Sequence, residues 1–259
     1  MTSRKCSPWR LGATSCVLPA DIMTNVRALA PLVDDVQLLF FESAAKSLLP
    51  QPLDVQALAD LAEEHGLTYT VHLPTDIALG AASRAERQEG IGEVLRLMAR
   101  LSPLGPQSFD LHLAREQNIP QAAWLDNLAA SLQGLSTALG GEKSLVAVEN
   151  IEYPYGLVAP LVAEYGFAVC LDLGHLLHYG HDLEEGLGLL PRVRHLHYHG
   201  VQNTRDHQAL TDAEQARMLG KRLAEAEYEG VVTLEMYNLE KLKESLALLD
   251  KAWQPFSGK

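Results

Sequence analysis

The residues best suited to chemistry gather around Val169-Cys170-Leu171-Asp172-Leu173-Gly174-His175, where an acid ends an apolar run and an imidazole follows shortly after. A strand alternates its faces, so the last residue of an inward row can present its side chain at the mouth of a sheet. A Leu-Gly turn after Asp172 then lets His175 swing back toward the same mouth. A carboxylate and an imidazole converging in this way suit a divalent metal ion. The pair alone is weak, because an acid before a turn and a capping histidine are common in structural roles. Other apolar runs end the same way, at Glu42, His72, His112, Glu149, His197 with His199, and Glu235, while Asp206 and His207 follow in a loop. Of the 10 histidines, only His65, His178, His181 and His195 fall elsewhere.

Any one of these histidines is more often a hydrogen-bonded structural group than a ligand. Glu42 reads as a solvated loop acid or a substrate contact. His195, His197 and His199 share one strand face, so they cannot all be direct ligands, and without metal or acid they would be costly to bury. As a set, however, the positions converge. Glu149, Asp172, one histidine of the 193–199 run and Glu235 complete a site for a single divalent ion, which is all a sugar isomerase or epimerase needs. His72 and His112 remain, and can share Glu149 as a bridging ligand. His175 with Asp206 and His207 offers a third position, and His199 and Asp206 are further ligands or partners of ligands. This surplus of imidazole favours zinc-like ions, with iron or manganese as alternatives, over magnesium. Two or three ions a few ångströms apart are the arrangement used to hydrolyse phosphoesters.

The elements that must position these groups alternate along the chain. Strand patterns at Trp9–Ser15, Val36–Phe41, Thr68–His72, Phe109–Leu113, Leu145–Asn150, Val169–Asp172, Val193–His199 and Val231–Met236 are each followed by a helical pattern. Asp21 is placed to cap the first helix and Gly66 to stop the second. Strict alternation implies a parallel sheet with helices outside, and eight units favour a closed (β/α)8 barrel of α/β class, one domain over residues 1–259. No glycine-rich phosphate loop follows the first strand, which weakens the open, doubly wound alternative. In such a barrel the active site lies at the C-terminal strand ends, where the acids and histidines fall. Thr14, Ser15, Glu42 and Asn150 line that mouth as candidates for substrate contact.

Composition sets limits on partners. The 259 residues are 47% hydrophobic and 21% charged, as in a soluble globular protein. No apolar run reaches membrane-spanning length, and the polar Met1–Arg10 holds no apolar signal region. Cys6, Cys16 and Cys170 are too scattered for a disulfide framework, so a reducing cytoplasm is expected. The formal net charge of −12, with no Lys/Arg cluster, disfavours nucleic acid as a partner. A small-molecule substrate is expected instead.

The ligand pattern resembles the xylose-isomerase-like barrel superfamily (AP endonuclease 2), and within it the branch of endonuclease IV with its trinuclear zinc site. That resemblance implies one ion at His72, His112 and Glu149, and a second at Glu149, Asp172, His197 and Glu235. A third would sit at His175 and the Asp206/His207 region, although the endonuclease pattern separates its Asp and His by one residue and here they are adjacent. A closer resemblance covers nearly the whole chain. Gly12-Ala13-Thr14-Ser15, Leu18-Pro19-Ala20-Asp21-Ile22, Val71-His72-Leu73-Pro74, Glu149-Asn150, Cys170 to Leu177 and Asp206-His207 are similar to the cobamide-remodelling phosphodiesterases. This implies hydrolysis of the phosphoribosyl bond in the nucleotide loop of vitamin B12-type corrinoids, with release of the lower-base riboside. Glu149, Asp172 and Glu235 would then be the catalytic carboxylates. A single-metal sugar isomerase or epimerase is the alternative, and an abasic-site endonuclease or a corrinoid-binding protein without turnover are further ones.

Overall fold

Residues 8–40 and 52–256 are described by a computed structural model. Glu42 lies outside them. Eight parallel strands close into a barrel. They are β1 (Arg10–Thr14), β2 (Asp35–Leu39), β3 (Thr68–His72), β4 (Phe109–Leu111), β5 (Val146–Glu149), β6 (Ala168–Asp172), β7 (Val193–Tyr198) and β10 (Val231–Leu234). Two shorter strands, β8 (Gly200–Gln202) and β9 (Arg205–Gln208), form an antiparallel hairpin outside the barrel. Around it stand α1 (Ile22–Leu29), α2 (Pro52–His65), α3 (Arg84–Leu101), α4 (Gln121–Leu139), α5 (Ala159–Tyr165), α6 (Leu173–Tyr179), α7 (Leu183–Leu187), α8 (Ala213–Glu225) and α9 (Leu239–Trp253). None of the described helices is long and apolar enough to cross a membrane.

The expected alternation is present, with caps where the side chains allow them. Asp21 accepts a hydrogen bond from the Thr24 amide at 2.7 Å, and Gly66 ends α2 at φ 68°. The sequence reading departs from the structure after Asp172, where α6 begins at once instead of a turn. The helix that follows, α7, is short, covering only Leu183–Leu187.

The strands show why the site can be so polar. Tyr69, Val71, Leu171, Leu196, Tyr198, Val232 and Leu234 belong to the buried apolar core. Their neighbours in sequence, Thr70, Cys170, Asp172, His195, His197 and Thr233, are also buried, on the opposite strand face. Barrel lumens are usually filled by branched apolar side chains; this one is filled by a hydrogen-bonded network. Thr70 donates to Asp35 at 2.8 Å, and Gln37 donates to Asp110 at 3.0 Å. Ser108 also donates to Asp110. The His195 ring spans the lumen between Asp110 Oδ2 and Thr233 Oγ1, at 2.7 Å to each. Orphaning one such group in a dry interior costs roughly 1–3 kcal/mol, so the network must be satisfied as a unit. It forms the floor on which the ligand layer rests.

Candidate metal centre

Glu149, at the end of β5, is fully buried and stands at the centre of the layer. Its Oε2 lies 3.3 Å from His72 Nε2, at the end of β3, and 3.2 Å from His112 Nε2, just past β4. Its Oε1 lies 3.2 Å from His175 Nδ1. His197 on β7 turns Nδ1 toward three carboxylates, at 3.5 Å from Glu149, 3.7 Å from Asp172 and 3.4 Å from Glu235. Three sets of ligand atoms result, each within 4.8 Å of one another: His72, His112 and Glu149; Glu149, Asp172, His197 and Glu235; and His175, His199 and His207.

Register and local structure bring these groups together. Parallel pairing sets Asp172 of β6 against His197 of β7. Asp172 also caps α6, because its Oδ1 accepts from the His175 amide at 2.8 Å. The same Oδ1 lies 3.3 Å from His199 Nε2. Because α6 starts immediately, His175 reaches the mouth from the first helical turn. A Cβ on Gly174 would overlap the His199 ring, so glycine there is what lets the helix lie over that histidine. The hairpin turns through Asn203 and Thr204, both in the left-handed region at φ 50° and 61°, as a two-residue hairpin turn requires. It returns His207 to the centre. His207 itself has φ 51°, an uncommon conformation for a non-glycine residue, and its amide donates to His199 Nδ1 at 3.0 Å. That contact leaves His199 Nε2 to face the carboxylate.

Behind His197 the floor network fixes the ring. Gln37 Nε2 lies 2.8 Å and Cys170 Sγ 3.6 Å from its Nε2 edge. Asp110, Cys170, His195 and His197 thus form another close group of potential ligands. The Gln37 amide nitrogen, bonded to Asp110 as well, already stands between two of them.

The donor set fits a bound cation. Both Glu149 oxygens, Asp172 Oδ2, His112 Nε2, His197 Nδ1 and His199 Nε2 are buried without a hydrogen-bond partner. Buried polar atoms are seldom left so, and these six all belong to the three ligand groups. Titration follows the same geometry. Burial opposes charge on each group, but the facing groups prevail. Burial raises the Glu149 and Asp172 carboxyls, yet His112 and His197 beside Glu149, and His175 and His199 beside Asp172, hold both well below the usual range. Glu235 is lowered to about 2, chiefly by His197 against its burial. Burial lowers His175, but Asp172 and Glu149 raise it to about 10.

Several expected site residues do other work. Asn150 accepts from the Asp172 amide at 2.7 Å and donates to the Asp172 carbonyl at 2.8 Å, so it clamps β5 to β6. Thr14 is buried and donates to the Met236 carbonyl at 3.2 Å. Ser15 is buried and accepts from the Leu39 amide at 3.0 Å. The hydrogen bonds of these three side chains all go to the backbone, which they brace. Asp206 stands outside the third group, 3.3 Å from His207 Nδ1, and His199 takes its place there. Gln37 and Asp110 were not singled out by the sequence reading, though both are polar residues in otherwise apolar strands.

A family model described as a xylose isomerase-like TIM barrel, that of AP endonuclease 2, matches residues 33–252. The chain belongs to that family. No curated protein matches it. Among solved structures, this xylose isomerase-like barrel is similar to a D-tagatose 3-epimerase-like protein at TM-score 0.79 and 16% identity, over 95% of this chain and 98% of that one. It is similar to an AP endonuclease, family 2, of Brucella melitensis at TM-score 0.73 and 17% identity, over 96% and 99% of the two chains. The IOLI protein, whose structure holds a zinc atom, aligns at TM-score 0.72 and 14% identity, over 94% and 96%. Other sugar epimerases share the fold. At such identities the likeness is one of fold.

Proposed function

We propose that this xylose isomerase-like barrel is a multinuclear metal-dependent phosphodiesterase whose substrate is a cobamide. The observation that carries the reading is Glu149: its carboxylate belongs to two ligand groups at once, and both its oxygens are buried without a partner. His72 and His112 would hold one divalent ion with it, and Asp172, His197 and Glu235 a second. His175, His199 and His207 offer a third position. Imidazole-rich donors suit zinc-like ions. When bound, such ions supply charge to the phosphoryl oxygens and acidify water.

The chain's own share is orientation and proton handling. The floor of Gln37, Asp110 and Cys170 holds the His197 ring from behind. Glu235, 3.4 Å from His207 Nε2, would serve either as a ligand of the second ion or as the acceptor of a proton from attacking water. Hydrolysis breaks the bond between phosphorus and the ribose oxygen; water gives its hydroxyl to phosphorus and its proton to that oxygen. The cobamide itself is supported by the sequence resemblance at Val71–Pro74, Glu149-Asn150 and Cys170–Leu177.

A second reading, a single-ion sugar epimerase, has its own support. Glu149, Asp172, His197 and Glu235 suffice for one ion, with Glu149 and Glu235 as an acid–base pair, and the comparisons with solved structures favour it. The additional imidazoles favour the first. Incubation of the metal-loaded protein with cobamides and, separately, with ketohexoses decides between them. Release of a lower-base riboside, abolished in Glu149→Ala, is expected, with negligible nicking of abasic-site DNA. Epimerised sugar beside intact cobamide would overturn the phosphodiesterase.

A further inference from the structure

The mouth of the centre carries aromatic rings outside the three ligand groups. Tyr179, the last residue of α6, and Tyr237, just past β10, are each 42% exposed, and with Leu177 they are the exposed large hydrophobics among the described residues. Single exposed apolar side chains need no explanation, but two tyrosines beside one opening do. Tyr237 stacks on His207, with ring centroids 4.8 Å apart and planes 24° apart. His207 stacks in turn on His199, at 4.2 Å and 14°. A column of three nearly parallel rings thus runs from the buried layer to solvent. Tyr179 leans on His175 at 5.8 Å and meets His178 edge-on at 4.7 Å. The His175 and His207 rings are 5.9 Å apart, so the two tyrosines approach the same histidine group from two of its members.

We propose that Tyr179 and Tyr237 form an aromatic rim that binds a planar heteroaromatic ring, the base of a ribosylated phosphate, beside the metal centre. The inference rests on the phosphodiesterase reading only for the phosphate. A rigid heteroaromatic ring gains large contact area on tyrosine at little entropic cost, more than the smaller, partly hydroxylated C–H face of a sugar offers. The stack beneath Tyr237 already orders its ring, so little freedom remains to be lost on binding.

Adenosine monophosphate and ribose 5-phosphate share sugar and phosphate and differ by the base, so their binding to the zinc-loaded protein, measured by titration calorimetry, isolates the ring. Adenosine monophosphate is expected to bind about tenfold more tightly. The double variant Tyr179→Leu/Tyr237→Leu should erase that difference and leave ribose 5-phosphate binding unchanged, while Tyr237→Phe should keep it. Equal binding of both ligands by the unaltered protein, or equal loss of both in the double variant, would overturn the rim. Ring preference without cobamide cleavage would keep the rim and defeat the phosphodiesterase; cleavage without ring preference would do the reverse.

Discussion

At the scale of single residues, protons and metal ions compete for the same atoms. Without metal, His175 is raised to about 10 because Asp172 and Glu149 outweigh its burial. Its contribution to stability is complete below the ordinary value of 6.5 and is lost as pH rises through about 10. Glu235 has the opposite sign: lowered from 4.5 to about 2, it contributes fully above 4.5 and loses that contribution as pH falls through about 2. The metal-free protein should therefore gain most from this cluster between the two ordinary values, about pH 4.5 to 6.5. Urea midpoints in chelator should fall from pH 6.5 to 10, and zinc should remove that decline by holding the imidazoles deprotonated. A metal-free midpoint that stays level or rises over this range would contradict the pairing of His175 with Asp172 and Glu149.

At the scale of elements, the junction of β6 and α6 does several jobs with few residues. Asp172 ends a strand, caps a helix and faces the centre, and Gly174 makes room for His199. Gly174→Ala should leave the barrel folded, push the His199 ring aside and weaken the third group. Metal analysis should then show the ion at that position lost and the others kept; unchanged metal content and zinc affinity would show that His199 is not a ligand. The strand ends were legible in the chain because inward polar and outward apolar residues alternate, and because an acid or imidazole closes most of the runs. The β8–β9 hairpin was not, since Asn203-Thr204 lacks the glycine that advertises such turns. Without the hairpin, His199 could not be placed with His207, and Asp206 stood in for it. Leu173-Gly174 reads locally as a turn, while the capping bond from Asp172 makes it a helix start. The bracing bonds of Thr14 and Asn150 are not legible in the chain, because their partners, Met236 and Asp172, are distant in sequence.

At the scale of the whole molecule, part of the −12 net charge lies inside the barrel. Asp35, Asp110, Glu149, Asp172 and Glu235 are all buried in it. Asp35 and Asp110 are paired by hydroxyl, amide and imidazole groups of the floor, whereas Glu149 and Asp172 keep unpartnered oxygens. The barrel thus separates a lower layer whose carboxylates are paired from an upper one where Glu149 and Asp172 keep unpartnered oxygens, and the upper layer is the one that could hold cations. On the proposed reading, the net negative charge suits a small substrate with a single phosphodiester, neutralised by bound ions, better than it suits DNA. The claim on which this account depends is that the upper layer holds more than one ion. Elemental analysis of the purified protein and of His72→Ala tests it most directly. At least two divalent ions per chain are predicted in the intact protein, and one fewer in the variant. One ion in both would contradict the multinuclear centre and leave the single-ion epimerase in its place.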